Sequence, residues 1–84
     1  MNHRTGLMGG TFDPIHHGHL LIAEIVREAC SLDDIVFIPA AHPPHKQGQP
    51  VTPAARRCEM VRLATASNPY FSVSEIEMER EGLS

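Results

Sequence analysis

Apolar residues along the chain follow two patterns, one with helical spacing and one with no period. Leu21, Ile22, Ile25, Val26 and Ala29 recur at intervals of three and four, with Glu24, Arg27 and Glu28 between them. This spacing predicts an amphipathic helix over residues 18–30, with its apolar stripe turned to a core. A second stripe, Ala54, Cys58, Val61 and Thr65, flanked by Arg57, Met60 and Ala64, predicts a helix over 53–66. Thr52-Pro53 opens it, with Thr as N-cap and Pro at the first helical position, and Asn68-Pro69 ends it. Residues 34–38, Asp-Ile-Val-Phe-Ile, are instead almost continuously apolar, and Pro39 stops them. Continuous apolarity suits a strand covered on both faces. Weaker runs predict a brief buried first strand at 4–9 and a third at Phe71 and Val73, reaching toward Ile76.

The order is strand, helix, strand, helix, strand. Each connection is long enough for a right-handed parallel crossover. The expected fold class is α/β: half of a doubly wound, Rossmann-like parallel sheet, in one small domain without internal repeats or boundaries. Such a sheet takes ligands beyond the carboxyl ends of its strands. Those ends are Gly9–His19, Pro39–Val51 and the residues after Val73.

Composition narrows the function. The 84 residues are 42% hydrophobic and 20% charged, as in soluble globular proteins. A net charge of −3, with seven scattered Lys and Arg, argues against a broad nucleic-acid surface. No run reaches the ~18 apolar residues of a membrane span, and no signal-peptide core follows Met1, so a cytoplasmic location is expected. Cys30 and Cys58 lack any CxxC partner and are expected to be reduced thiols. The oligomeric state is not legible.

The chemistry is concentrated in "GGTFDPIHHGHL", residues 9–20. Gly9 and Gly10 are expected to turn the backbone with positive φ and to let a ligand approach. Asp13-Pro14 reads as turn chemistry. His16 and His19 are three apart and share a face of the predicted first helical turn, while His17 points elsewhere. A helix start offers unpaired N–H groups and the positive end of the dipole, which suits a phosphate. Gly18 would keep that start bare, so that a base or phosphate can lie against the backbone. A zinc site is the rival reading of His16, His17, His19, His42 and His45. It lacks HExxH spacing and a nearby Cys, so no metal ligands are assigned. Neither GxxxxGK[ST] nor GxGxxG is present, which leaves the histidines as the phosphate donors.

With His16-His17-Gly18-His19 as its HxGH core, this stretch resembles the first signature of the nucleotidylyltransferase superfamily. Together with "PPHK" (Pro43 to Lys46) and "RRCEM" (Arg56 to Met60), it resembles the bacterial nicotinate-mononucleotide adenylyltransferases. The resemblance spans nearly all of the chain but only the first half or so of such an enzyme. The second phosphate-binding signature of that family, a Ser/Thr-rich run ending in Arg, has no match. Residues 1–84 are therefore expected to be the truncated N-terminal part of the domain, without turnover of their own.

The resemblance implies adenylyl transfer from ATP to nicotinate mononucleotide, with deamido-NAD and pyrophosphate as products. It implies His16 and His19 as catalytic residues on the ATP phosphates, with His19 nearest the α-phosphate. Gly9, Gly10, Thr11, Phe12 and Gly18 would line the nucleotide, and His45, Lys46 and Arg57 would add donors. Arg57 could equally be surface charge. Mg²⁺ would arrive with ATP. The implied partners are the two small-molecule substrates, with no nucleic acid and no membrane. The alternative is an inactive nucleotide- or metal-binding half-domain.

Overall fold

The computed structural model describes residues 2–12, 15–41 and 52–80, with Glu79 and Arg80 described by their backbone alone. Three parallel strands alternate with helices: β1 (Thr5–Gly10), α1 (His17–Ala29), β2 (Asp34–Pro39), α2 (Ala54–Thr65), β3 (Phe71–Val73) and α3 (Ile76–Arg80). The strands lie in the order β1-β2-β3, both pairs parallel. This is the expected open α/β half-sheet. Register runs from Thr5 opposite Asp34 to Gly10 opposite Pro39, and Phe37 faces Val73 on the other side. The carboxyl ends of all three strands therefore come to one edge of the molecule.

The central strand carries the core. Ile35, Phe37 and Pro39 are buried, whereas Val36 and Ile38 are half-buried. One face of β2 is thus fully covered and the other only partly, short of the two-sided burial expected from its continuous apolarity. Phe37 and Ile35 join Phe12, Ala23 and Val61 in one cluster, with Leu20, Leu32 and Phe71 packed around it. The Phe37 and Phe71 rings meet edge-on, with centroids 5.1 Å apart. β1 is an edge strand, not the buried one expected: Leu7 is 71% exposed.

Helix α1 docks by a different face from the expected one. Leu21, Ile22, Ile25 and Val26 are exposed, and Ala29 with them. The buried position is Ala23, with Leu20 beside it in the core. The small Ala23 side chain lets the helix approach the sheet closely. Two of the polar residues expected to face solvent, Glu24 and Arg27, also dock, whereas Glu28 is exposed. The Arg27 Nε–H donates to Glu24 Oε1 at 3.0 Å, and the Asn68 amide donates to Glu24 Oε2. The Arg27 guanidinium stacks 4.0 Å over the Tyr70 ring. These contacts seat α1 against the α2–β3 connection, which turns the wide apolar stripe outward. The helix ends in a Schellman turn: Ser31 is left-handed (φ 55°), and the Leu32 N–H donates to the Arg27 carbonyl.

Helix α2 buries Arg57, Cys58, Val61 and Thr65, and Ala54 is half-buried, so three of the four expected stripe positions lie fully inside. Its cap differs from the expectation. Pro53, not Thr52, takes the cap position, with extended ψ (144°) and no side-chain bond. Its carbonyl accepts the first helical N–H groups, from Arg56 and Arg57. Ile76 does not extend β3 but opens α3, where its N–H donates to Ser74 Oγ. A capping signal was present in the chain: Ser74 is followed three residues later by Glu77. Met78 of α3 closes a small second cluster with Ala41 and Cys58 at the carboxyl edge. Both cysteines are free thiols, Cys30 exposed and Cys58 buried. Among the described residues, no helix is long and apolar enough to cross a membrane.

Candidate functional site

The two histidines of the opening motif sit where β1 gives way to α1. His16 is the N-cap, in extended backbone (φ −143°, ψ 176°), and His19 lies in the first turn. Each ring is held by the other's neighbourhood. The Gly18 N–H donates to His16 Nδ1 at 3.0 Å, and the His16 N–H donates to His19 Nδ1 at 3.0 Å. The rings lie side by side, with centroids 4.0 Å apart. Because both Nδ1 atoms accept, the proton of each neutral ring sits on Nε2. The helix start therefore presents two imidazole N–H donors from a pair whose orientation is fixed by the backbone. This changes one expectation. The N–H groups of His16 and Gly18 are not open to a ligand but are already satisfied by imidazole nitrogen.

Gly18 has a corresponding use. A Cβ there would lie 2.7 Å from His16 Cε1 and 2.9 Å from its Nδ1, closer than atoms can approach. The glycine makes room for the His16 ring and does not leave the helix start bare. Gly10 plays a similar part, since a Cβ on it would stand 3.3 Å from the Phe12 ring. Neither Gly9 nor Gly10 has the expected positive φ; both continue β1. The left-handed residue is Phe12, at φ 49°. The turn comes two residues later than expected because Gly10 is still paired, its carbonyl accepting the Ala40 N–H at 2.9 Å.

Phe12 is buried (4% exposed), so only its backbone can line a ligand. Its ring meets His19 edge-on at 5.2 Å and leans on Phe37 at 5.7 Å. The core thus reaches His19 through one aromatic ring. Burial holds the His19 pKa below the ordinary histidine value, and the neighbouring His16 lowers it further. A neutral imidazole is thereby favoured until an anion arrives, when the charged form gains a partner.

Of the remaining candidates, Gly9 is exposed, Thr11 is half-buried and His17 is exposed. Arg57 is not surface charge. It is 1% exposed, and its Nε–H and Nη1–H donate to the carbonyls of Thr52 and Thr11, both at 2.9 Å. The sequence carried a sign of this: Arg57 stands three residues after Ala54 and four before Val61, which is core spacing. His45 and Lys46 lie outside the described residues. Among the described residues, no group of three His, Cys, Asp or Glu side chains could hold a metal ion. Imidazole is also a poor match for Mg²⁺, which prefers oxygen ligands. The described residues thus supply no ligand set for that ion.

The family model described as cytidylyltransferase-like matches residues 7–83. The chain belongs to this cytidylyltransferase-like family. Its relatives include a protein of Geobacter metallireducens named "Probable nicotinate-nucleotide adenylyltransferase", 62% identical over 96% of this chain and 38% of its own length. Proteins of the same name from Moorella thermoacetica and Dehalococcoides mccartyi are 57% and 51% identical, over 96% and 94% of this chain. The chain spans somewhat over a third of these relatives, 37% and 39% of the latter two. Family membership accounts for the parallel half-sheet.

Proposed function

We propose that the protein carrying this segment transfers the adenylyl group of ATP to nicotinate mononucleotide, forming deamido-NAD and pyrophosphate in NAD biosynthesis. The observation that carries the reading is the paired imidazoles at the carboxyl end of β1, each with Nδ1 fixed and Nε2–H free to donate. A phosphate oxygen of the mononucleotide forms the new bond to the α-phosphorus, and the bond to the bridging oxygen of pyrophosphate breaks. The attacking oxygen is already anionic at neutral pH, so no general base is needed. What remains is positioning and stabilisation of developing charge, which the two fixed imidazole N–H donors can supply.

In this reading His16 and His19 hold the ATP phosphates, with His19 nearest the α-phosphate. The backbone of Gly9, Gly10, Thr11 and Phe12 lines the nucleotide, Gly18 makes room for the His16 ring, and His45 and Lys46 contribute further donors. Mg²⁺ comes bound to ATP and neutralises its phosphates. The names of the relatives support the choice of substrates. The test is ³¹P NMR of a protein of the relatives' length containing this segment, mixed with ATP, nicotinate mononucleotide and Mg²⁺. Matched growth of dinucleotide and pyrophosphate signals is expected. ATP binding without dinucleotide formation would overturn the reading in favour of a binding half-domain.

A further inference from the structure

Arg57 is the only buried charged side chain among the described residues. Burying a cation is costly unless its donors are satisfied. Here two of them reach backbone carbonyls far apart in sequence, Thr52 two residues before α2 and Thr11 after β1. Thr11 immediately precedes the left-handed Phe12, and the Phe12 ring is the aromatic edge against which His19 rests. Thr52 follows Lys46 by only six positions in the chain. A single planar fork thus joins the loop before the histidines to the residue that ends the Lys46-bearing stretch.

We propose that Arg57 is a positioning residue for the His16–His19 pair. Its guanidinium fixes the Thr11 carbonyl, this fixes the backbone that sets the Phe12 ring, and the ring sets the orientation of His19. Arg57 touches no reacting atom itself, and its effect on turnover rests on the adenylyl-transfer reading above. The link from Arg57 to His19 stands independently of that reading.

The test is Arg57→Lys. An ammonium keeps the charge, but on a flexible stem it cannot span two carbonyls with the fixed geometry of a guanidinium. The His19 ring resonances should move, because the ring leaves its place at the edge of Phe12. Those of His3, which precedes β1 at the opposite end of the strand, should stay. In the protein that forms dinucleotide, kcat should fall on the order of 10²-fold, as for a misplaced catalytic group, while KM for ATP changes little. A lower melting temperature with unchanged His19 resonances and unchanged kcat would show a purely structural role and overturn the proposal.

A measurement on the unmutated protein guards against a variant that fails to fold. The Arg57 Nε–H should exchange with solvent far more slowly than that of an exposed arginine, and fast exchange would also overturn the proposal. If the unmutated protein forms no dinucleotide but Arg57→Lys still shifts His19, the functional reading fails and the positioning role stands.

Discussion

Gly18→Ala separates the site's chemistry from its stability, and the structure indicates by how much. The new methyl group would stand 2.7 and 2.9 Å from two atoms of the His16 ring, so the ring must swing away. The bond from the Gly18 N–H to His16 Nδ1 is then lost. Loss of a side-chain cap costs about 1 kcal/mol. Alanine in place of glycine returns up to about 1 kcal/mol of helix propensity, somewhat less this close to the end. The two terms nearly cancel, and urea unfolding should show a change within about 1 kcal/mol of zero. Phosphate binding has no such compensation. A displaced His16 forfeits a hydrogen bond to a charged group, about 1.5–3 kcal/mol. That corresponds to roughly 10- to 150-fold in Kd for ATP, measured by calorimetric titration. Unchanged ATP affinity with a displaced His16 ring would refute the assignment of that ring to the phosphates. A stability loss of about 2 kcal/mol, the full cost of a lost cap, would refute the cancellation.

Three further outcomes are expected. His19→Ala should lower kcat on the order of 10²–10³-fold with a smaller effect on KM for ATP. His17→Ala should do far less, because adjacent helical positions face about 100° apart; equal damage from both would remove the shared-face argument. In an NMR titration His19 should protonate below the ordinary histidine pKa, while His3, hydrogen-bonded to Asp34, should protonate above it. The His19 contribution to stability is then present above pH about 6.5 and lost as pH falls through its lowered value, whereas that of His3 is present below about 6.5 and lost as pH rises. Reversal of the two titrations would contradict the geometry. Phe37→Ala empties the centre of the core at a side chain with 0% exposure. It should cost about 3–5 kcal/mol, a large part of the roughly 5–15 kcal/mol of a whole domain; a loss below 1 kcal/mol by urea unfolding would show that the core lies elsewhere.

Legibility in the sequence varied with how many partners each element had to satisfy. β2 and α2 were readable because their apolar positions meet within few clusters: Ile35 and Phe37 of β2 pack with Val61 of α2, and Cys58 packs with Ala41 and Met78. The docking face of α1 was not legible in the same way. Periodicity reports that Leu21, Ile22, Ile25 and Val26 form a surface, but not that the sheet takes the other side. Leu20, Ala23 and the Glu24–Arg27 pair decided the docking, and their partners Asn68 and Tyr70 are remote in sequence. The histidine pair was legible because its geometry is local. Its hydrogen bonds were not, since helix-start reasoning assumes free N–H groups and does not foresee imidazole nitrogen as the cap.

The glycines show why a motif can be read correctly in its place and wrongly in its cause. Gly10 reads as a conformational joint and Gly18 as a bare helix start, yet both matter for the volume they leave empty, one beside the Phe12 ring and the other beside the His16 ring. The conformational burden falls on Phe12, a residue ill suited to φ 49°. Holding a bulky residue there costs on the order of 1–3 kcal/mol and persists only where the surroundings over-determine it. The surroundings do so from three sides: Phe37 packs on the ring, His19 meets its edge, and Arg57 holds the preceding carbonyl. Complete burial of a Phe side chain contributes about 1.5–3 kcal/mol, the same order as the strain. The turn is thus close to neutral in stability. What it supplies is placement, with an aromatic ring of the core set against the imidazole that the proposed chemistry requires to stay still.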